Sequence, residues 1–322
     1  MTNRVPPGKR LSRLLIALFT LALLLPSAVA QVQRISIGSA GTSGTFYIVA
    51  AGIAEQISRE LGIPATAEVT GGSVENARRM ASGELELAMM QMDVGYKAYH
   101  GIDFDPQVDM LAIVPVYPNL QHVVVRANSD LHTLEDIKGT RVSIGSPGSG
   151  VLATNQTFLE ALGWSLNDIK GQFLSFSENT SAFRDNAIDA ALANTAAPTP
   201  WILDLETSHP IRLLPIDGDD LQKVLEQGPY YAKAEFPAGT YRGQDEAVTT
   251  FGLWVMLAAR SDMPDDLVYD ITKLIYESRE ALIGVHPAAA NISIDNLGGI
   301  AIPFHPGAAR YYRELGIIVD TP

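Results

Sequence analysis

The segment Arg34-Ile35-Ser36-Ile37-Gly38-Ser39-Ala40-Gly41 returns 107 residues later as Arg141-Val142-Ser143-Ile144-Gly145-Ser146-Pro147-Gly148. Each copy opens on alternating apolar residues closed by glycine, the signature of a short strand. A small-residue turn follows, then a helical pattern: Ile48, Ala51, Ile53, Ala54, Ile57 and Leu61 after the first copy, Leu152 to Leu162 after the second. A lone Gly-rich turn says little. Two matching strand–turn–helix units in one chain predict two similar α/β lobes, each presenting a helix N-terminus. Such a terminus carries unpaired N–H groups and the positive end of the dipole, which suits a carboxylate or other anion.

The flanking pattern extends each unit. In the first, Ala65 to Val69 reads as a strand, Ser73 to Ala81 as a helix with Ser73 as its N-cap, and Leu85 to Met90 as a buried strand. In the second, Gln172 to Phe176 reads as a strand, Ser181 to Asn186 as a helix and Ala190 to Asn194 as a strand. Both series are β-α-β-α-β, the order of a parallel sheet. Between them, Met110 to Tyr117 and Gln121 to Ala127 read as two strands broken at Pro118-Asn119. Later strands are expected at 211–216, 236–241 and 249–259, and helices at 264–283 and 306–315. The expected organisation is a first lobe over 31–122, a second over 123–240, and a return segment over 241–322 that packs back on the first.

Residues 1–30 have the form of a cleaved export signal. Arg4, Lys9, Arg10 and Arg13 form a basic start, Leu14 to Leu25 an apolar run, and Ala28-Val29-Ala30 a small-residue cleavage site. Cleavage after Ala30 removes four positive charges and no negative ones, taking the formal net charge from −13 to −17. So acidic a surface argues against nucleic acid as a partner. The chain has no cysteine, which excludes disulfides, thiolate metal sites and a cysteine nucleophile. These features point to a bacterial periplasm.

In an open α/β sheet, ligands bind beyond the carboxyl ends of the strands. The residues there are Ser39 to Thr45, Gly71 to Asn76, Gln91 to Asp93, Ser146 to Gly150 and Thr195 to Pro198. They are mostly hydroxyl, amide and small residues, suited to hydrogen bonding a small polar solute. Any one Ser or Thr among them also suits a helix cap, and Asp93 suits either a ligand amine or a cap. Tyr47, Tyr117, Tyr230 and Tyr231 are candidate pocket walls or ordinary core residues. Gly38, Gly41 and Gly44 depart from the dinucleotide spacing, and neither turn ends in the Gly-Lys-Ser/Thr of a phosphate loop. No histidine pair has metal-ligand spacing and no G-x-S-x-G elbow is present. No cofactor or metal is expected.

The chain carries G-T-S-G-T-F-Y at 41–47, G-G-S-V-E-N at 71–76, A-S-G-E-L-E-L-A at 81–88, Q-M-D at 91–93, Y-P-N at 117–119, D-I-K-G-T-R-V-S-I-G-S-P-G-S-G at 136–150, P-A-G-T-Y-R-G-Q-D-E at 237–246 and F-H-P-G-A-A-R-Y-Y-R-E-L-G at 304–316. With this series it resembles the TAXI family, the extracytoplasmic solute receptors of TRAP transporters. The resemblance implies a two-lobed periplasmic-binding-protein fold, type II-like, with an interlobe ligand cleft. It implies a monomeric receptor, not an enzyme, that captures a small polar or acidic solute such as glutamate, glutamine or 2-oxoglutarate and delivers it to TRAP transporter membrane subunits. It places Thr42, Ser43, Thr45, Tyr47, Ser73, Asn76, Gln91, Asp93, Ser146, Ser149, Thr195, Ala196 and Pro198 at the ligand. A periplasmic sensory module, or a hydrolase or transferase on the same scaffold, are the alternatives.

Overall fold

The first motif copy folds as expected in the computed structural model, which describes residues 32–322; the export signal and its cleavage point lie outside the described residues. Ile35 and Ile37 are buried in strand β1 (Ile35–Gly38), and helix α1 (Thr45–Gln56) follows the turn. Strand β2 (Ala65–Glu68), helix α2 (Ser73–Ala81), strand β3 (Leu87–Gln91) and helix α3 (Met92–His100) complete the unit. β1 pairs in parallel with both β2 and β3, giving the order β2-β1-β3.

The chain then runs through one long strand, β4 (Met110–Arg126), into the second unit. This unit comprises β5 (Arg141–Ser143), α4 (Gly150–Ala161), β6 (Lys170–Gln172), α5 (Phe176–Arg184) and β7 (Ala190–Thr195). β5 pairs in parallel with β6 and β7, so the order β6-β5-β7 repeats that of the first unit. Helix α6 (Pro200–Glu206), strand β8 (Ile211–Leu213), helix α7 (Gly218–Leu225) and strand β9 (Ala232–Phe236) follow. Strand β10 (Val248–Arg260) returns antiparallel along β4.

β4 and β10 are the two segments that join the halves. β10 pairs with β3 through 255–259 and with β9 through 248–252. β4 pairs with β7 through 120–125. Helices α8 (Asp265–Glu277), α9 (Arg279–Val285) and α10 (Pro306–Glu314) close the fold. The tail reaches the first part of β4: the Tyr312 hydroxyl donates to the Ile113 carbonyl at 2.6 Å, and Phe304 bridges Ala112.

Several elements differ from the sequence reading. Residues 110–126 form one strand rather than two, because Pro118 interrupts no ladder on its far side: β7 meets β4 only from Leu120 onward. β4 also absorbs register shifts against β10 beside this point. β6 ends at Gln172, and Phe176 begins a helix instead of ending a strand, because Ser175 and Glu178 form a capping box. β9 ends at Phe236, and 237–241 turn where Thr240 bonds back to the Pro237 carbonyl. The helix expected over 264–283 is broken at Ser278 into α8 and α9, with Pro264 standing outside α8 as its N-cap. Ser73 is the first helical residue of α2, and Gly72 holds the N-cap position.

Candidate functional site

The two motif copies start their helices at different points. α4 begins at Gly150, whose equivalent in the first copy is Ser43, whereas α1 waits until Thr45. The two extra helical residues in the second copy put Ser149 at the N-cap, where its Oγ accepts from the Leu152 N–H at 3.0 Å and donates to the Ser146 carbonyl at 2.6 Å. The first copy ends on Gly44, which has no side chain to cap with. Sequence repetition therefore gives two helix N-termini of unlike chemistry.

Both turns line one cleft of about 300 Å³ between the halves. The N-termini of α1, α2, α4 and α5 all border it, through Thr45, Ser73, Gly150 and Phe176. None of the residues lining it carries an ionisable side chain. The walls are glycine, hydroxyl and amide groups together with Phe46, Phe176, Val69 and Val151.

The halves touch at the cleft floor. Gln91, the last residue of β3, donates from Nε2 to Asn194 Oδ1 of β7 at 2.9 Å and to Thr154 Oγ1 of α4 at 3.3 Å. The Glu75 N–H of α2 donates to the Gly148 carbonyl at 3.1 Å. Gly150 lies so close to the Gln91 amide that a Cβ there would overlap it. Gly72, at φ +119°, brings its backbone against Ser149, where a Cβ would stand 3.3 Å from the Ser149 Cα.

Of the sequence candidates, Thr42, Ser43, Thr45, Ser73, Gln91, Ser146, Ser149 and Thr195 line the cleft. Ser73 Oγ accepts from the Gln91 N–H at 3.0 Å, which locks the start of α2 to the end of β3. Tyr47, Asn76, Asp93, Ala196 and Pro198 are not among the lining residues. Asn76 is buried and committed inside the first half. Its Nδ2 donates to the Ser39 and Met89 carbonyls at 2.8 and 3.0 Å, and its Oδ1 accepts from Thr70 Oγ1 at 2.7 Å. Ala196 is buried, Pro198 exposed and Tyr47 half-buried on α1.

Asp93 lies behind the cleft, buried between the halves. It accepts from Thr154 Oγ1 at 2.5 Å, from the Tyr231 hydroxyl at 3.1 Å and from the Val94 N–H at 2.7 Å. Burial raises its carboxyl pKa above the ordinary 3.8, against those hydrogen bonds and the Lys97 charge. It is not the cap of α3, whose N-cap is Gln91. Of the aromatic candidates, Tyr117 packs edge-on against Phe46 in the core, and Tyr230 and Tyr231 pack on each other beside Asp93. Burial pushes the Tyr230 hydroxyl up to about 12.

The cleft also holds residues that sequence reading did not single out: Val69, Asn119, Ser175, Phe176 and Asn194. The capping box at Ser175 and Glu178 was a legible signal for two of them. Asn119 sits beside Pro118, where the pattern reads as a strand break. Two lining residues carry a buried oxygen with no hydrogen-bond partner among the described residues, Thr45 Oγ1 and Asn119 Oδ1. Both residues are 2% exposed. An unmet buried oxygen is costly; eight other such side-chain atoms among the described residues, Ser143 Oγ and Thr199 Oγ1 among them, lie outside the cleft lining.

The sequence over residues 37–316 matches the model of the NMT1-like family. The chain belongs to that family. As an NMT1-like protein it is similar in structure to PhnD1 from Prochlorococcus marinus in complex with methylphosphonate, at TM-score 0.55 and 12% identity, over 88% of this chain and 98% of that one. It is also similar to a putative L-cystine ABC transporter protein from Listeria monocytogenes, at TM-score 0.52 and 13% identity, over 81% of this chain and 98% of that one. An ancestral arginine-binding protein bound to arginine aligns at TM-score 0.50 and 14% identity, over 79% and 97%. The NMT1-like chain thus has the two α/β lobes expected from its duplicated motif and the periplasmic-binding-protein fold that the TAXI resemblance implies.

Proposed function

We propose that this NMT1-like protein is a periplasmic solute receptor, exported by its N-terminal signal. It captures a small acidic or polar solute between its lobes and delivers it, as a monomer, to the membrane subunits of a TRAP-type secondary transporter. The observation that carries the reading is the cleft itself. Four helix N-termini converge on a space of about 300 Å³, at the small end of ligand pockets. Its lining has no nucleophile–base pair, and two of its oxygens await partners. Structural relatives named for binding phosphonate, cystine and arginine support a small-molecule ligand. The TAXI-like motifs at 41–47, 71–76 and 91–93 support the TRAP reading in so far as Gly41 to Phe46, Gly71 to Ser73 and Gln91 border the cleft.

Contacts made by both lobes stabilise the closed state when solute binds, which is the state a permease would recognise. The ligand contacts are Thr45, Ser73, Gln91, Ser149 and Thr195, with Thr42, Ser43 and Ser146 at the rim. Thermal-shift screening of amino and organic acids tests the reading, because a ligand that binds only the folded protein raises the melting temperature. A hit from that class supports a receptor. Turnover of the hit instead of simple binding would replace it with an enzyme.

A further inference from the structure

The four helix N-termini at the cleft are not equivalent, and their differences narrow the ligand. The α5 terminus is closed by Ser175 and by the Glu178 carboxylate, which accepts from the Ser175 N–H at 2.8 Å and from its Oγ at 2.6 Å. Those hydrogen bonds hold Glu178 below the usual carboxylate range, so it stays charged. The α4 terminus is capped by Ser149. At α2 the Glu75 carboxylate accepts from the Gly71 N–H at 2.8 Å, and the Glu75 N–H is taken by Gly148. Only α1 has neither a capping side chain nor an acidic residue in its first turn. Its first residue, Thr45, carries one of the two unpartnered buried oxygens.

One position in the cleft therefore favours negative charge, and carboxylates already stand at two of the other three termini. A second anionic group on the ligand would lie at a terminus whose lining N–H, of Gly71 or Ser175, is already taken by the Glu75 or Glu178 carboxylate behind it, or lie against Phe46 and Phe176, with no cationic side chain in the lining to offset it. The remaining walls favour apolar surface. The Phe176 ring, stacked on Trp201 with centroids 5.8 Å apart and planes 13° apart, comes across to the first lobe. A Cβ on Gly44 would stand 3.6 Å from that ring. Asn119 Oδ1, the second unpartnered oxygen, is an acceptor and calls for an N–H or O–H on the ligand.

We propose that the cleft takes a small monoanion: one carboxylate on the N-terminus of α1 at Thr45, an adjacent amino or hydroxyl group on Asn119, and an apolar or aromatic remainder against Phe176. This rests on the receptor reading and chooses within it. It favours apolar amino or 2-hydroxy acids over glutamate and 2-oxoglutarate.

Isothermal titration of the purified protein with 3-phenyllactate, phenylalanine, leucine, glutamate and 2-oxoglutarate tests the assignment. At least one of the first three is expected to bind about tenfold or more tighter than either dicarboxylate. Phe176→Ala should weaken that ligand by about tenfold while changing glutamate binding less. Glu178→Gln should raise affinity for the dicarboxylates relative to the monoanions. If Phe176→Ala fails to fold, the wild-type ranking and Glu178→Gln decide. A dicarboxylate binding tightest, with Glu178→Gln leaving the ranking unmoved, would overturn the monoanion assignment and leave the receptor reading standing. No binding by any of the acids would overturn both.

Discussion

Gln91 and Asn194 stand at matching places in the two lobes, at the ends of β3 and β7, and their side-chain amides meet at 2.9 Å across the cleft floor. Gln91 also reaches Thr154, and Asn194 reaches Gln121, so the pair joins a buried chain of amides and hydroxyls spanning both halves. The contact between the lobes at the cleft floor thus runs through the ends of β3 and β7, the parallel strands that flank β10 and β4.

Replacing Gln91 or Asn194 by alanine leaves a buried partner unsatisfied in the closed state, at a cost of about 1–3 kcal/mol. Ligand affinity is expected to fall by about tenfold or more in each variant. The double variant should lose less than the sum of the two, because they share one interaction. Calorimetric titration of the four proteins as a double-mutant cycle checks this; strict additivity would show that the amide pair does not hold the lobes together.

Gly150→Ala places a methyl group where the Gln91 amide packs. The collision is between lobes, so the open protein accepts it and the closed one does not. Weakened ligand binding with a nearly unchanged melting temperature of the free protein is the expected result. A large fall in the melting temperature would mean that the contact belongs to the fold rather than to closure.

These contacts show what was legible in the sequence. The duplicated motif disclosed both units, their parallel order and the turns that face each other. It did not disclose that the copies cap differently, because Ser149 and Thr42 occupy equivalent places and only backbone geometry sets α4 starting two residues earlier than α1. Asn76 and Asp93 follow strands as a ligand residue would, yet tertiary packing turns both inward. Asn119 belongs to the Y-P-N motif but was not placed at the ligand, because Pro118 beside it reads as a breaker; Pro118 is tolerated because β4 has no β7 partner before Leu120.

Asp93 and His122 give opposite pH dependences of stability. Asp93 has a raised pKa, so the folded state holds its proton longer than the unfolded one. Its contribution is complete below the ordinary carboxylate value of 3.8 and is lost as pH rises through the folded pKa. Asp93→Asn is therefore expected to make the melting temperature less sensitive to pH on the alkaline side of that value. A variant whose melting curve parallels the wild type across the range would refute the assignment.

His122 is buried beside Tyr241, whose hydroxyl lies 2.8 Å from Nε2, and burial lowers its pKa to about 4. The unfolded chain takes the proton first. The contribution of His122 is complete above about 6.5 and is lost as pH falls toward about 4, on the order of 3 kcal/mol in all. Acid unfolding followed by circular dichroism should show this loss in the wild type and a smaller one in His122→Gln. Equal acid sensitivity would place the titrating group elsewhere.

The cleft lining has no ionisable side chain, so ligand affinity should be flat between about pH 6 and 9 for a solute that does not titrate there. Thr45→Ala and Ser149→Ala should both weaken binding without unfolding the protein, Thr45→Ala by removing the Oγ1 that has no partner among the described residues.

A crystal structure of the protein with the tightest ligand from the acid screen tests the central claim most directly. The account predicts ligand density between the lobes, with an anionic group at Thr45 and the start of α1 and contacts from both Ser73 and Phe176. Density anywhere else, with this cleft vacant, would contradict it.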